Sequence, residues 1–198
     1  MSRYLGPIVK KSKRLNFSIL ETDKEFKRKN VRQTFRKKRK TDYALQLNEK
    51  QKLRFRYFLP EKQLRNTFLK VLKMPGIKNE NLLITIERRL DNIVYRLGLA
   101  TTRREARQLV NHNHILLNNK KASIPSMLVQ VGDIVSLKTL KFKKSSLFAE
   151  RFKIRKKFSF LELDEKNFSG KLQNSPKIDE LETDINTGLV VEYYNLFI

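Results

Sequence analysis

Charge is segregated along this chain into three blocks, and the segregation limits how it can fold. Residues 1–42 hold 15 basic and 4 acidic side chains, among them the run Arg36-Lys37-Lys38-Arg39-Lys40, which cannot pack against itself. Residues 43–159 hold 26 basic and 8 acidic groups, and residues 160–198 reverse the sign with 3 basic and 8 acidic. The formal charge of +24 on 198 residues is a self-repulsion that a polyanion must offset, which excludes most ordinary soluble enzymes. We expect the first block to order only against phosphate, with Arg36, Lys37, Lys38, Arg39 and Lys40 as contacts, and the acidic tail to face solvent or protein. With 39% apolar residues, one or two small folded units with basic extensions fit best.

The absence of Cys excludes disulfides, thiolate metal sites and a Cys nucleophile. No run of 18 apolar residues exists, so no membrane association is expected. Met1 leads directly into Ser2-Arg3-Tyr4 without an apolar leader, so the chain is expected to stay where it is made. Phe, Tyr, Met, Ile, Asn and Lys number 77 against 33 Gly, Ala, Arg and Pro, a skew that points to an organelle genome or an AT-rich bacterium.

From Tyr43 to Leu72 the apolar spacing is helical: Leu53 and Tyr57, then Leu64, Phe68, Val71 and Leu72. Pro60 divides the stretch into two amphipathic helices, since it suits a first turn and breaks an interior. Around Leu53 stand Lys50, Lys52, Arg54 and Arg56, which gives one helix an oily face and an exposed basic remainder suited to RNA. Met74-Pro75-Gly76 stops the second helix. One longer helix then runs from near Glu80 through Leu82, Leu83, Ile86, Leu90, Ile93, Val94 and Leu97, and Gly98 ends it as a left-handed cap.

Thr102-Arg103-Arg104-Glu105 reads as a capping box opening a helix that buries Ala106, Leu109 and Val110. Arg103, Arg104, Arg107 and Gln108 are left on its outer side, dispensable for folding and free to bind phosphate. Strand-like pieces follow at 115–117, 122–124, 128–131 and 134–137, separated by Asn118-Asn119 and Gly132-Asp133. At the C-terminus Leu189, Tyr193 and Phe197 fall on one helical face after a cap at Asp184 or Asn186. That helix is too short to stand alone, so it should return to the helices of residues 43–87.

The stretch Glu87-Arg88-Arg89-Leu90-Asp91-Asn92-Ile93-Val94-Tyr95-Arg96-Leu97-Gly98, followed by Thr102 to Val110, resembles the S-four RNA-binding domain, most closely that of the uS-four family of ribosomal small-subunit proteins. Met1-Ser2-Arg3-Tyr4 with Gly6-Pro7, Glu49 to Phe55, and Asp184-Ile185-Asn186 with Val190 to Tyr194 resemble the same family. The opening residues and the pair His112 and His114 look most like plastid members, which implies a plastid ribosome, with an AT-rich bacterial cytoplasm or a mitochondrion as the alternative.

The resemblance implies an α+β fold: a helical domain, an inserted RNA-binding module of two helices plus a small twisted sheet, and a basic N-terminal extension. The domains would be 1–42, 43–87 completed by 179–198, and 88–178. It implies a structural constituent of the small subunit that binds ribosomal RNA early, nucleates the 5′ domain, and lies beside the fifth small-subunit protein near the mRNA entrance. Arg3, Tyr4, Lys10, Lys11, Arg88 and Lys120 join the residues above as RNA contacts. No cofactor is expected.

Two chemical readings compete with binding. Arg89-Leu90-Asp91 resembles the catalytic triplet of pseudouridine synthases, but here it falls inside the RNA-binding domain and the chain has no room for their catalytic domain; Asp91 reads instead as a helix-surface group. His112 and His114, the two histidines, are too few for a metal site without Cys or a carboxylate cluster, so RNA contact is the better reading. No Gly-rich phosphate loop or nucleophile elbow is present. A free-standing RNA chaperone or tRNA-handling factor is the remaining alternative. The family-like segments on both sides of the module argue against it.

Overall fold

The computed structural model describes residues 4, 6–21, 41–138, 158–164, 167–181 and 184–197. Arg3 and the run Arg36, Lys37, Lys38, Arg39 and Lys40 lie outside the described residues. The chain divides into two compact units, Met1–Asn81 with Thr183–Ile198, and Leu82–Glu182. As expected, the fold is α+β, with seven α-helices and one five-stranded antiparallel sheet among the described residues.

In the first unit, α1 (Ile8–Leu15) stops at Asn16, whose φ of 48° is left-handed. Phe17 and Ile19 beyond it are buried. This part of the basic extension carries apolar anchors that the charge pattern hid. Tyr4 meets Phe55 edge-on at 5.3 Å, and Arg56 donates to the Ser18 carbonyl at 2.7 Å. Helix α2 (Asp42–Arg56) is capped by Thr41, whose Oγ1 accepts from the Ala44 amide. Pro60 is the N-cap of α3 (Glu61–Leu72), which turns Leu64, Phe68 and Val71 inward.

The C-terminal helix α7 (Thr187–Asn195) begins at Asn186, which caps the Leu189 amide, and it packs on α2. Its inner face is Val190, Tyr193 and Tyr194, with Tyr194 stacked on Phe68 at 4.9 Å. The expected stripe through Phe197 is not the seam: Phe197 is 53% exposed because it lies beyond the last helical turn.

The second unit starts at Leu82, within α4 (Lys78–Glu87). The single long helix expected through Leu97 is two helices, α4 and α5 (Leu90–Arg96), broken at Arg89, whose ψ of 140° is extended. The break has a non-local cause. The amides of Leu90 and Asp91 donate to the carbonyls of Met127 and Pro125, and the Arg88 carbonyl accepts from Val129. The two amides thus pair with the segment at 125–129 and not with the preceding helical turn, and the carbonyl does so in place of the following one. Gly98, with φ of 80°, caps α5 as expected.

Helix α6 (Arg103–Asn111) leads into β1 (Ile115–Leu117), which turns through Asn118 and Asn119, both at positive φ, into β2 (Lys120–Lys121). Strands β3 (Ile134–Leu137), β4 (Leu161–Asp164) and β5 (Ser169–Leu172) complete the order β2-β1-β3-β5-β4. The strands expected at 122–124 and 128–131 are absent; Leu128 makes one isolated bridge to Arg89. Gly170 faces Leu97 so closely that a Cβ there would overlap the Leu97 methyl, so β5 sits tight on the end of α5. The expected boundary at 178/179 also moves. Leu181 is buried in the core of this unit, and the Glu180 carboxylate accepts from the Ser159 amide at 3.2 Å and from its hydroxyl.

Candidate nucleic-acid interface

Helices α5 and α6 are joined by a buried ionic network. The Asp91 carboxylate accepts from Arg89 Nε at 3.1 Å and Nη2 at 3.0 Å, and from Arg107 Nε at 3.0 Å and Nη2 at 2.6 Å. Glu87, whose side chain is fully buried, accepts from Arg96 Nε at 3.0 Å and Nη2 at 2.6 Å, and from the Asn92 amide. Asn92 Oδ1 in turn accepts from Arg103 Nε at 2.9 Å, and the Arg103 guanidinium lies 4.3 Å from the centre of the Tyr95 ring. A charge buried in this way is tolerable only with such partners.

The expectation that Arg103, Arg104 and Arg107 form one solvated face is therefore corrected. Arg103 is buried and Arg107 is mostly so, because their partners Asn92 and Asp91 come from the other helix. Asp91 is likewise no surface group, being 4% exposed. What α6 does present is a stripe of Arg104, Gln108 and Asn111 at spacings of four and three, all exposed. The helix is held by its cap: Thr102 Oγ1 accepts from the Glu105 amide, while the Glu105 carboxylate accepts from the Thr101 amide at 2.6 Å, one residue earlier than in a capping box.

Beyond this stripe, His112 is exposed and His114 half-buried, with parallel rings whose centroids are 6.2 Å apart. The Lys138 amide donates to the His114 carbonyl at 2.8 Å, which brings the exposed Lys138 beside the pair. Lys120 and Lys121 are exposed on β2. Arg88 is half-buried, its Nε donating to the Val129 carbonyl at 3.0 Å. Asn111, Lys121 and Lys138 were not anticipated. The helical spacing from Arg104 could have found Asn111, whereas the position of Lys138 depends on strand pairing.

In the first unit, the basic face expected around Leu53 is largely neutralised within the protein. Lys50 pairs with Glu61 at 3.0 Å and lies 4.2 Å over the Tyr193 ring; Lys52 pairs with Glu49 at 2.6 Å. Arg56 pairs with Glu21 at 3.3 Å, and Arg54 stands 3.9 Å from Glu61. Glu21 and Glu61 come from elsewhere in the chain, which local spacing could not reveal, whereas Glu49 stands three residues before Lys52 on α2 itself. Lys10 is exposed, and Lys11 lies over the Tyr4 and Phe55 rings. Glu61 also accepts from the Tyr194 hydroxyl at 3.0 Å. Burial, reinforced by that carboxylate, pushes the Tyr194 phenol well above the ordinary phenol range. The hydrogen bond with Tyr193 pushes the Tyr43 phenol up as well.

Among the described residues no group of three or more His, Cys, Asp or Glu side chains is placed to hold a metal ion, and no helix is long and apolar enough to cross a membrane. The arrangement offers an exposed guanidinium and amides on α6 with two imidazoles just beyond its end, a set of donors suited to phosphate and ribose oxygens.

Two family models match. The "Ribosomal protein S4/S9 N-terminal domain" covers residues 3–87 and the "S4 domain" covers residues 88–135. Among similar proteins, the small ribosomal subunit protein uS4 of Mycoplasma capricolum is 44% identical, over all of this chain and 99% of its own. Those of Mesomycoplasma hyopneumoniae, 46% identical over 98% of this chain and 100% of theirs, and Streptococcus mutans, 45% identical over 98% of both, are alike. These relatives are bacterial, so the plastid assignment drawn from the opening residues and the histidine pair is not supported, and the bacterial alternative fits. With the two models matching consecutively over residues 3–135 and relatives of this identity along the full length, the chain belongs to the uS4 family of small-subunit ribosomal proteins.

Proposed function

We propose that this chain is a structural constituent of the bacterial small ribosomal subunit and binds its ribosomal RNA through the second unit. The observation that carries the reading is the α6 stripe of Arg104, Gln108 and Asn111, mounted on a buried ionic network inside the residues that match the S4 domain. A surface so rigid suits an RNA of fixed shape, since a duplex hides its base edges and is read through its backbone. In this reading Lys10, Lys120, His112 and His114 add contacts, and the basic extension of residues 1–42 contributes long-range attraction. In the same reading the first unit serves as a helical domain closed by α7, and the second as an RNA-binding module inserted into it; the division into two compact units supports this.

The finer role is an early binder that nucleates the 5′ domain and lies near the mRNA entrance beside the fifth small-subunit protein, without catalytic activity. Sedimentation of the native protein from its own cells tests the function: steady residence in small subunits is the expected result. A mostly free pool would favour an RNA chaperone, and a large-subunit pool would exclude the small-subunit role.

A further inference from the structure

Asp91 is an acid buried beneath a helix face that otherwise gathers cations. It is 4% exposed, yet both of its oxygens are occupied by the guanidiniums of Arg89, at its own end of α5, and Arg107, from the middle of α6. The Arg107 side chain keeps 14% exposure, so it is not sealed off from the α6 face that carries Arg104 and Gln108. For general attraction to a polyanion this carboxylate is a handicap, because it cancels one positive charge beneath the helix face. Its geometry does something else. Both N–H groups of the Arg107 fork converge on one oxygen, Oδ2, which narrows the rotamers open to this side chain, whereas an unheld arginine samples many.

We propose that Asp91 is a positioning residue for RNA recognition: by fixing Arg107, and Arg89 behind it, it lowers attraction to polyanions in general and raises selectivity for a folded RNA whose phosphates match the α6 face. The inference rests on the reading of that face as RNA-binding. It assigns no contact with RNA to Asp91 itself.

The test uses the full chain, binding at one salt concentration to a transcript of the 5′ domain of small-subunit ribosomal RNA and to poly(U) of equal length. Asp91→Asn keeps the size of the side chain and removes its charge. The expected result is affinity for the transcript about tenfold weaker, with affinity for poly(U) unchanged or tighter. Tightening on both RNAs would mean that Asp91 is only an electrostatic brake, and equal loss on both that it is only structural; either overturns the proposal. Should Asp91→Asn fail to fold, Arg107→Lys decides, since it keeps the charge and loses the fork. Selectivity must fall while the melting temperature stays within a few degrees, and unchanged selectivity overturns the proposal. A wild type without preference for the transcript would sink the functional reading as well, whereas a selective wild type with equally selective variants sinks the proposal alone.

Discussion

Arg103, Arg104 and Arg107 stand within little more than one turn of α6 and should nevertheless respond differently to truncation. Arg104 is exposed, so Arg104→Ala should change stability by under about 0.5 kcal/mol. Arg107→Ala leaves Asp91 buried with Arg89 as its remaining guanidinium, and should cost about 1–3 kcal/mol, below the usual 3–5 for breaking a buried pair because that second arginine stays. In thermal unfolding followed by circular dichroism, about 1 kcal/mol corresponds to roughly 2–4 °C in a chain this long. A melting temperature unmoved by Arg107→Ala would refute the network's structural weight. A different test applies to Tyr194, whose phenol is raised above the ordinary value of about 10. The folded state then keeps a proton that the unfolded state loses, so this contribution is complete below about pH 10 and declines as pH rises beyond it. Tyr194→Phe should lose about 1 kcal/mol at neutral pH with the Glu61 hydrogen bond and show a shallower decline from pH 9.5 to 11 in urea midpoints. Parallel pH curves for the two proteins would contradict this.

At the scale of elements, α7 supplies the first unit with Val190, Tyr193 and Tyr194, each worth roughly 1.5–3 kcal/mol if fully buried, so its apolar seam outweighs its few exposed polar pairs. Ending the chain after residue 183 should therefore deprotect residues 43–73 in hydrogen exchange and leave residues 90–137 protected. The cut must fall there because Leu181 belongs to the core of the second unit. Loss of protection in α5 and α6 instead would mean that α7 supports the other unit. The helices α2, α3, α6 and α7 and the strands β1 and β3 were legible in the sequence because each is written in local periodicity and punctuation, as at Pro60, Thr102 and Asn186. The break between α4 and α5 was not, since the groups that end α4 bond to residues 125–129. The same reason explains the candidate site. Spacing located the cationic helix, but whether an arginine on it is solvated or buried depends on Asp91 and Asn92 of a neighbouring helix.

At the scale of the whole molecule, a charge of +24 makes counterion release the largest contribution to RNA affinity. If about six to ten phosphates are engaged, affinity should fall by about three to five decades between 50 and 200 mM salt, by analogy with duplex DNA. A nearly flat titration would show that shape alone carries binding. The internal pairing of Lys50, Lys52 and Arg56 keeps the expected slope well below the number of basic residues. The discontinuous make-up of the first unit bears on how the protein is born. Its opening segment, α1 to α3, leaves the ribosome first, and the helix that closes it, α7, leaves last. Since domains generally fold as units during synthesis, the second unit has its whole sequence available before the first one does. A product cut short by a late stop codon is thus expected to carry the whole sequence of the second unit beside a helical unit that lacks α7.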